Sequence, residues 1–202
     1  MSAWVVTVAT DNAEMKSLRL CGLVIFALAA CSPALNWRTV QVQGAPLQVL
    51  LPCDPQTAAR PIEMGLGTVQ LNMLGCDADH ATYAISHFLI KDPSSAAQAL
   101  SYWQAAVLNQ LKTSEGAGPA DAAKLLQAKG DGAFVPKGAL NLPQSIRTTF
   151  EGMGPKGGQL TGHGVWFARI EGDGARLYHA VIYGDKPHPN EADTFFAGLQ
   201  TQ

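Results

Sequence analysis

The feature that most constrains the fold is a pair of apolar segments, residues 159–170 and 176–184, joined by Glu171-Gly172-Asp173-Gly174. An Asp-Gly turn between two such runs predicts a β-hairpin in which Ile170 pairs with Ala175. This register gives the hairpin two apolar faces: one with Trp166, Ala168, Leu177 and Val181, the other with Val165, Phe167, Tyr178, Ala180 and Ile182. Such a hairpin needs other elements to cover both of its faces.

The first half of the chain has the pattern of short strands. Residues 37–43 and 47–51 flank Gly44-Ala45-Pro46 and predict one hairpin, while residues 68–74 and 81–89 predict a second strand pair. The stretch between the two pairs, residues 52–67, is expected to be a connector. The first half is therefore predicted to be a β-meander.

The apolar spacing changes after Asp92-Pro93, where an N-cap residue precedes a proline at the first helical position. Apolar residues then recur every three or four positions and form a stripe that should pack on the sheet: Ala96, Leu100, Trp103, Val107 and Leu111. A shorter helix is expected at residues 120–128 and a terminal helix from Asn190. The predicted fold class is α/β, of the α+β type: an antiparallel sheet covered by helices on both faces.

A second constraint lies near the N-terminus, where eleven uncharged residues, Leu20 to Ala30, stand between the basic residues Lys16 and Arg19 and Cys31. A helix of that length rises about 16 Å, roughly half the hydrocarbon core of a bilayer. The stretch is therefore predicted to be a signal-peptide core and not a transmembrane helix.

The residues before this leader do not fit a secretory signal. Asp11 and Glu14 precede the basic region, where acidic residues are out of place. Translation is therefore expected to begin at Met15, with residues 1–14 the product of a misplaced start.

The leader ends in Leu28-Ala29-Ala30-Cys31, which resembles the lipobox of bacterial lipoproteins at all four positions. The resemblance implies that Cys31 carries lipid after cleavage of residues 1–30. Residues 31–36 are then a tether, and residues 37–202 are a single periplasmic α/β domain. Ser32 stands where lipoproteins retained at the inner membrane usually have Asp, which implies an outer-membrane lipoprotein facing the periplasm.

Two cysteines, Cys53 and Cys76, remain after the leader and the lipid-bearing residue are set aside. An even pair in an oxidising compartment predicts a disulfide. Two free buried thiols or a redox pair are the alternatives, although the redox reading lacks a Cys-x-x-Cys spacing. A loop of this size predicts a stabilisation of roughly 3 kcal/mol.

The order of elements, a β-meander, a helix, a β-hairpin and a terminal helix, resembles the PsbP-like α/β/α sandwich. The likeness is carried by Leu50-Leu51-Pro52, Tyr83-Ala84-Ile85-Ser86 and Phe195-Phe196-Ala197-Gly198-Leu199, and it spans roughly residues 37–200. The chain is also similar to uncharacterised proteobacterial lipoproteins. The PsbP-like resemblance implies an accessory protein that docks on larger complexes.

The five histidines predict no metal site. His163 and His179 fall on opposite faces of the predicted hairpin, and His80 and His87 have an odd spacing that would separate them along one strand. His188, between two prolines, is expected in an exposed loop. The sequence contains no short-spaced metal motif and no Gly-x-Ser-x-Gly elbow, so neither a cofactor nor a catalytic residue is predicted.

One pair of basic residues is unusual. The hairpin register places Arg169 and Arg176 opposite each other, where like charges repel. They are candidates for an anion or a partner carboxylate. The alternative is that both are solvated and partly offset by Glu171 and Asp173.

These features predict a membrane-anchored periplasmic lipoprotein that is a non-catalytic binding or assembly factor, held to the membrane by its N-terminal lipid and in contact with an envelope protein. The alternative is a periplasmic hydrolase with an unrecognised active site. The whole chain has 14 Lys and Arg against 16 Asp and Glu, a net charge of -2, which gives no electrostatic basis for binding nucleic acid.

The lipid anchor predicts a specific intact mass. Protein extracted from its native membrane should have a mass that begins at Cys31 and includes acyl chains, with two thiols alkylated only after reduction. Mass spectrometry with and without reduction measures both features. A mass that begins at Met1 or Met15 and carries no lipid would contradict the predicted localisation.

Overall fold

The central hairpin lies in the interior of a seven-stranded antiparallel sheet. The computed structural model describes residues 35–65, 67–112, 127–153 and 158–202. The strands are β1 (Arg38–Gln41), β2 (Leu47–Leu51), β3 (Gln56–Glu63), β4 (Thr68–Ala78), β5 (Ala81–Ile90), β6 (Gln127–Ala133), β7 (Ile146–Met153), β8 (Gln159–Glu171), β9 (Gly174–Gly184) and β10 (Gln200–Thr201). The helices are α1 (Ala96–Lys112), preceded by the 3-10 turn Pro93–Ser95, and α2 (Pro189–Ala197).

Two antiparallel sheets contain all of these strands. The large sheet has the order β3-β4-β5-β9-β8-β7-β6, and the small sheet has the order β1-β2-β10. In the large sheet Ile170 pairs with Ala175 and Trp166 with His179, so the predicted register of the hairpin is confirmed.

The two faces of the large sheet carry two separate cores. On one face, Trp166, Ala168 and Leu177 pack with Ala99, Leu100 and Trp103 of α1. On the other face, Val165, Phe167, Tyr178 and Ile182 pack with the β2 residues Leu47, Val49 and Leu51 and with Phe195 and Phe196 of α2. The hairpin is therefore covered on both faces, as its apolar pattern requires.

The predicted fold class is wrong. The described part of the chain consists mainly of β-strands in two antiparallel sheets, and it is not an α/β sandwich with a sheet between helical layers. One face of the large sheet is covered by α1, but the other is covered by the small sheet together with the nine-residue helix α2. The sequence pattern predicts β1 and β2 as a hairpin. It does not indicate that this hairpin forms a separate layer over one face of the large sheet.

The predicted connector between the two early strand pairs also differs. Its middle part, residues 56–63, forms β3, which pairs with β4 from Gln56 opposite Gly75 to Glu63 opposite Thr68. Nearly all of β3 is exposed, so it lacks the apolar alternation by which a buried strand is recognised. Its Pro61 is tolerated because β3 lies at the edge of the sheet.

The second half of the chain contains one further difference. Residues 127–128 of the expected short helix belong to β6, together with Gly130-Asp131-Gly132, and the register of β6 is irregular between Gly130 and Gly132. Residues 120–126 of that helix lie outside the described residues.

Cys53 and Cys76 form a disulfide, which confirms the predicted pair. Their Cα atoms are 5.9 Å apart, within the usual range for a disulfide. Cys53 follows β2 of the small sheet and Cys76 lies in β4 of the large sheet, so the bond joins the two sheets covalently.

Residues 1–34, which contain the predicted leader, the predicted cleavage site and Cys31, lie outside the described residues. Lipid attachment at Cys31 therefore stays a prediction. Within the described ranges, no helix combines the length and the apolar character needed to cross a membrane.

Removal of the disulfide tests its contribution to stability. The double variant Cys53→Ala/Cys76→Ala should lose about 3 kcal/mol of unfolding free energy, because the unfolded chain regains the freedom of a loop closed over 23 positions. Urea unfolding monitored by tryptophan fluorescence measures the change. An unfolding free energy equal to that of the parent would contradict the stabilising role.

Candidate functional site

Strands β4 and β5 separate along part of their length. They pair from Ala78 opposite Ala81 to Asn72 opposite His87, but residues 68–71 and residues 88–90 have no pairing with each other. A cleft of about 560 Å³ opens between these two segments. This β4–β5 cleft is lined by Thr68, Val69, Gln70, Phe88, Leu89, Ile90, Lys91, Asp92, Met64, Ser95 and Ala99.

The walls of the β4–β5 cleft are largely apolar. Phe88, Met64 and Ala99 belong to the core under α1, and Leu89 has 45% of its surface exposed. Lys91 and Asp92 lie at the rim with opposite charges, so the cleft has no strong charge preference. An apolar lining with a small polar rim is typical of a binding cleft.

Each wall of the cleft also has an open strand edge. Residues 68–71 of β4 pair with β3 on one side only, and residues 88–90 of β5 pair with β9 on one side only. In an antiparallel strand, alternate residues direct their main-chain N–H and C=O groups to each side. Both strands therefore offer main-chain donors and acceptors to the cleft.

Asp92 fixes the segment that closes one end of the cleft. Its carboxylate accepts hydrogen bonds from the Ser94 main-chain N–H at 2.9 Å, from the Ser94 hydroxyl at 2.7 Å and from the Ser95 hydroxyl at 3.0 Å. These bonds lower the pKa of Asp92. They cap the helical segment at the position that the sequence predicted.

Arg176 and Arg169 lie opposite each other on one face, as the register predicts, but Arg176 is buried. Its Nε and Nη2 donate to the two oxygens of Glu171 at 2.6 and 2.5 Å, and its Nη1 lies 3.0 Å from His87 Nδ1. The Glu171 hydrogen bonds raise the pKa of Arg176, and the same bonds lower the pKa of Glu171.

His87 accepts from this guanidinium in its neutral form. Burial, with a further contribution from Arg176, lowers the pKa of His87 to about 4. Arg169 is directed elsewhere and donates through Nη1 to the main-chain oxygens of Pro46 and Gln202. The two arginines are thus engaged with different partners, and a shared anion or partner carboxylate stays a prediction.

The remaining histidines are distributed over the molecule. His163 lies in β8 with its Nδ1 3.2 Å from the Thr149 hydroxyl, and burial followed by the charge of Arg147 lowers its pKa. His179 lies in the core under α1, where its ring stacks on Trp166 at 4.2 Å and meets Trp103 edge-on. Burial lowers the pKa of His179 to about 3.

The prediction for His188 is wrong. It was expected in an exposed loop, but its ring is 3% exposed. One of its nitrogens, one oxygen of Asp79 and one oxygen of Glu191 lie within 4.8 Å of one another. Sequence spacing gave no signal for this group, because its members come from the β4–β5 turn, from the segment after β9 and from α2.

No protein-family model matches this chain, and no curated protein matches it. Its function is therefore inferred from its own residues.

His179 gives the stability a pH dependence. The pKa of its imidazole is about 3 in the folded protein and ordinary, near 6.5, in the unfolded chain. The unfolded state therefore binds the proton first as the pH falls below about 6.5, and the unfolding free energy decreases from there towards pH 3. At pH 5 this group should account for a loss of about 2 kcal/mol.

Urea unfolding at pH 7.5 and pH 5 measures this loss in the parent and in His179→Phe. The variant should show a pH effect smaller by about 2 kcal/mol, while the control His80→Asn, at an exposed histidine, should behave as the parent. An unchanged pH effect in His179→Phe would assign the proton uptake to another group.

Proposed function

We propose that this chain is a lipid-anchored periplasmic protein of the bacterial envelope that binds an extended apolar segment of an envelope protein in the β4–β5 cleft. In this role it is a binding or assembly factor. The observation that carries the proposal is the combination of two open strand edges with an apolar floor in one cleft.

The chemistry of the cleft favours an extended peptide as the ligand. A peptide that enters as an additional strand pairs its main chain with β4 on one side and with β5 on the other. Its side chains on the α1 side would contact the apolar floor at Val69, Phe88 and Ala99. The four residues of β4 that lack a β5 partner set the length of the paired segment at about four residues.

The anchor and the cleft are complementary parts of the proposal. The lipid predicted at Cys31 would hold the protein at the membrane surface, since several acyl chains on one residue make the attachment essentially permanent. A protein held there meets segments of envelope proteins at high local concentration. A binding factor of moderate affinity then suffices.

The histidines do not favour the alternative, a periplasmic hydrolase. A hydrolase would need two or more of its histidines in one polar cleft, and the candidates are His80, His87, His163 and His179. His80 and His87 line different clefts, of about 390 and 410 Å³, and His179 is enclosed between two tryptophans.

A library of octapeptides with alternating apolar and polar positions tests the proposal on the full chain in detergent. Selected peptides should bind the double variant Val69→Thr/Leu89→Gln about tenfold more weakly than the parent, because two apolar contacts are lost. The matched control is Ile170→Gln, since Ile170 is 46% exposed, lies in β8 and does not line the cleft.

Hydrogen exchange on the same complex locates the peptide. Amides within residues 68–71 and 88–90 should become protected, because main-chain pairing removes them from water. Two results would show that the cleft is not the binding site. One is a bound peptide that protects the amides of neither segment from exchange, and the other is a library in which no binder is weakened by Val69→Thr/Leu89→Gln.

A further inference from the structure

A group of three metal-type ligands lies at the opposite end of β5 from the β4–β5 cleft. Asp79 is in the turn between β4 and β5, His188 precedes α2, and Glu191 is in the first turn of α2. One donor atom from each lies within 4.8 Å of the other two. Three atoms so placed all lie within about 2.8 Å of one common point, so shifts below about 1 Å bring every donor to the 2.0–2.2 Å of zinc ligands.

The backbone holds each of these side chains in place. Asp79 and His80 have φ values of +48° and +60° and form the two-residue turn of the β4–β5 hairpin, a conformation that Asp tolerates. Pro189 occupies the start of α2 and fixes the position of Glu191 after His188. The three ligands are therefore presented by a tight turn and by a helix start.

The His188 ring is enclosed, and it makes no hydrogen bond to any residue that the structure describes. It packs on Gly184, where an added Cβ would lie 2.7 Å from His188 Cδ2. Its Nε2 is buried without a partner, and its Nδ1 is 3.9 Å from Glu191 Oε2, beyond hydrogen-bond distance. A buried imidazole normally has a partner for at least one nitrogen. Nδ1, the nitrogen that lies 3.9 Å from Glu191 Oε2, is therefore the atom of this ring that is open to a metal ion.

The negative charges of Asp79 and Glu191 also favour a cation between these two side chains. Within the described ranges, neither Asp79 nor Glu191 is paired with a lysine or an arginine. The Tyr83 hydroxyl is buried and has no hydrogen-bond partner among the described residues. Burial raises the pKa of Tyr83 to about 12, and the negative charges of Glu191 and Asp79 contribute to this increase. Two close carboxylates of like charge are stabilised when a divalent cation lies between them.

We propose that Asp79, His188 and Glu191 bind one divalent transition-metal ion, and that Zn²⁺ is the preferred ion. Two carboxylate oxygens and one imidazole nitrogen are a donor set that zinc accepts, whereas Ca²⁺ and Mg²⁺ prefer oxygen ligands alone. Three protein ligands leave a fourth position of the ion for water or for a ligand group. The ion would cross-link the β4–β5 turn to α2, two elements that are distant in sequence and pack on the same core.

Zinc binding to the untagged, chelator-stripped full chain in detergent tests the proposal. Elemental analysis after dialysis should give one Zn²⁺ per chain, and calorimetry should show Zn²⁺ binding more tightly than Ca²⁺ or Mg²⁺. At a free zinc concentration of 100 times Kd, the Tm should rise by roughly 5–10 °C.

Matched variants assign the ligands. Asp79→Asn, which keeps a residue suited to the turn, Glu191→Gln and His188→Gln should each weaken zinc binding at least tenfold. The controls Asp77→Asn and His80→Gln lie within two residues of Asp79, and Asp193→Asn lies two residues from Glu191. Each changes a residue of a ligand's own type and should leave Kd within about twofold of the parent. The Tm of each metal-free variant, compared with the metal-free parent, separates loss of the site from loss of the fold.

Three results would overturn the proposal. The first is a chain that retains no zinc at micromolar concentrations. The second is zinc binding that Asp79→Asn and Glu191→Gln leave intact, because the ion would then lie elsewhere. The third is tighter binding of Ca²⁺ than of Zn²⁺, which would exclude the imidazole as a ligand.

Discussion

The pairing of β8 with β9 is the interaction on which the rest of the structure depends. The two strands pair without interruption from Thr161 opposite Gly184 to Glu171 opposite Gly174. Their side chains supply the centres of both cores, with Trp166 and Leu177 on one face and Phe167 and Tyr178 on the other. Because both faces are apolar, every other layer is positioned by the need to cover this hairpin.

Strand β5 connects the hairpin to the two candidate sites. It pairs with β9 along its whole length but with β4 only up to His87. The separation of β4 at one end of β5 opens the apolar cleft, and the tight turn at the other end carries Asp79. A single strand thus places the proposed peptide site and the proposed metal site at opposite ends of one rigid element.

Two clusters of buried polar side chains differ in their hydrogen bonding. Arg176, Glu171 and His87 satisfy one another beside the hairpin turn, through hydrogen bonds between a charged pair and a neutral imidazole. His188 is equally buried but lacks such partners. An unpaired buried polar group is costly, so the first cluster is a satisfied network, whereas the second contains a ring nitrogen that no described residue satisfies.

The sequence by itself determined the features that depend on local pattern: the register of the β8–β9 hairpin, the Asp92-Pro93 start of the helical segment that leads into α1, the terminal helix, and the cysteine pair. It failed for β3, which is exposed and lacks alternation, and for the fold class, because residue pattern does not state which element covers a sheet face. Only the tertiary structure brought Asp79, His188 and Glu191 together and separated β4 from β5. Asp79 is distant in sequence from His188 and Glu191, and a hairpin pattern does not state where its two strands separate, so packing alone sets both features.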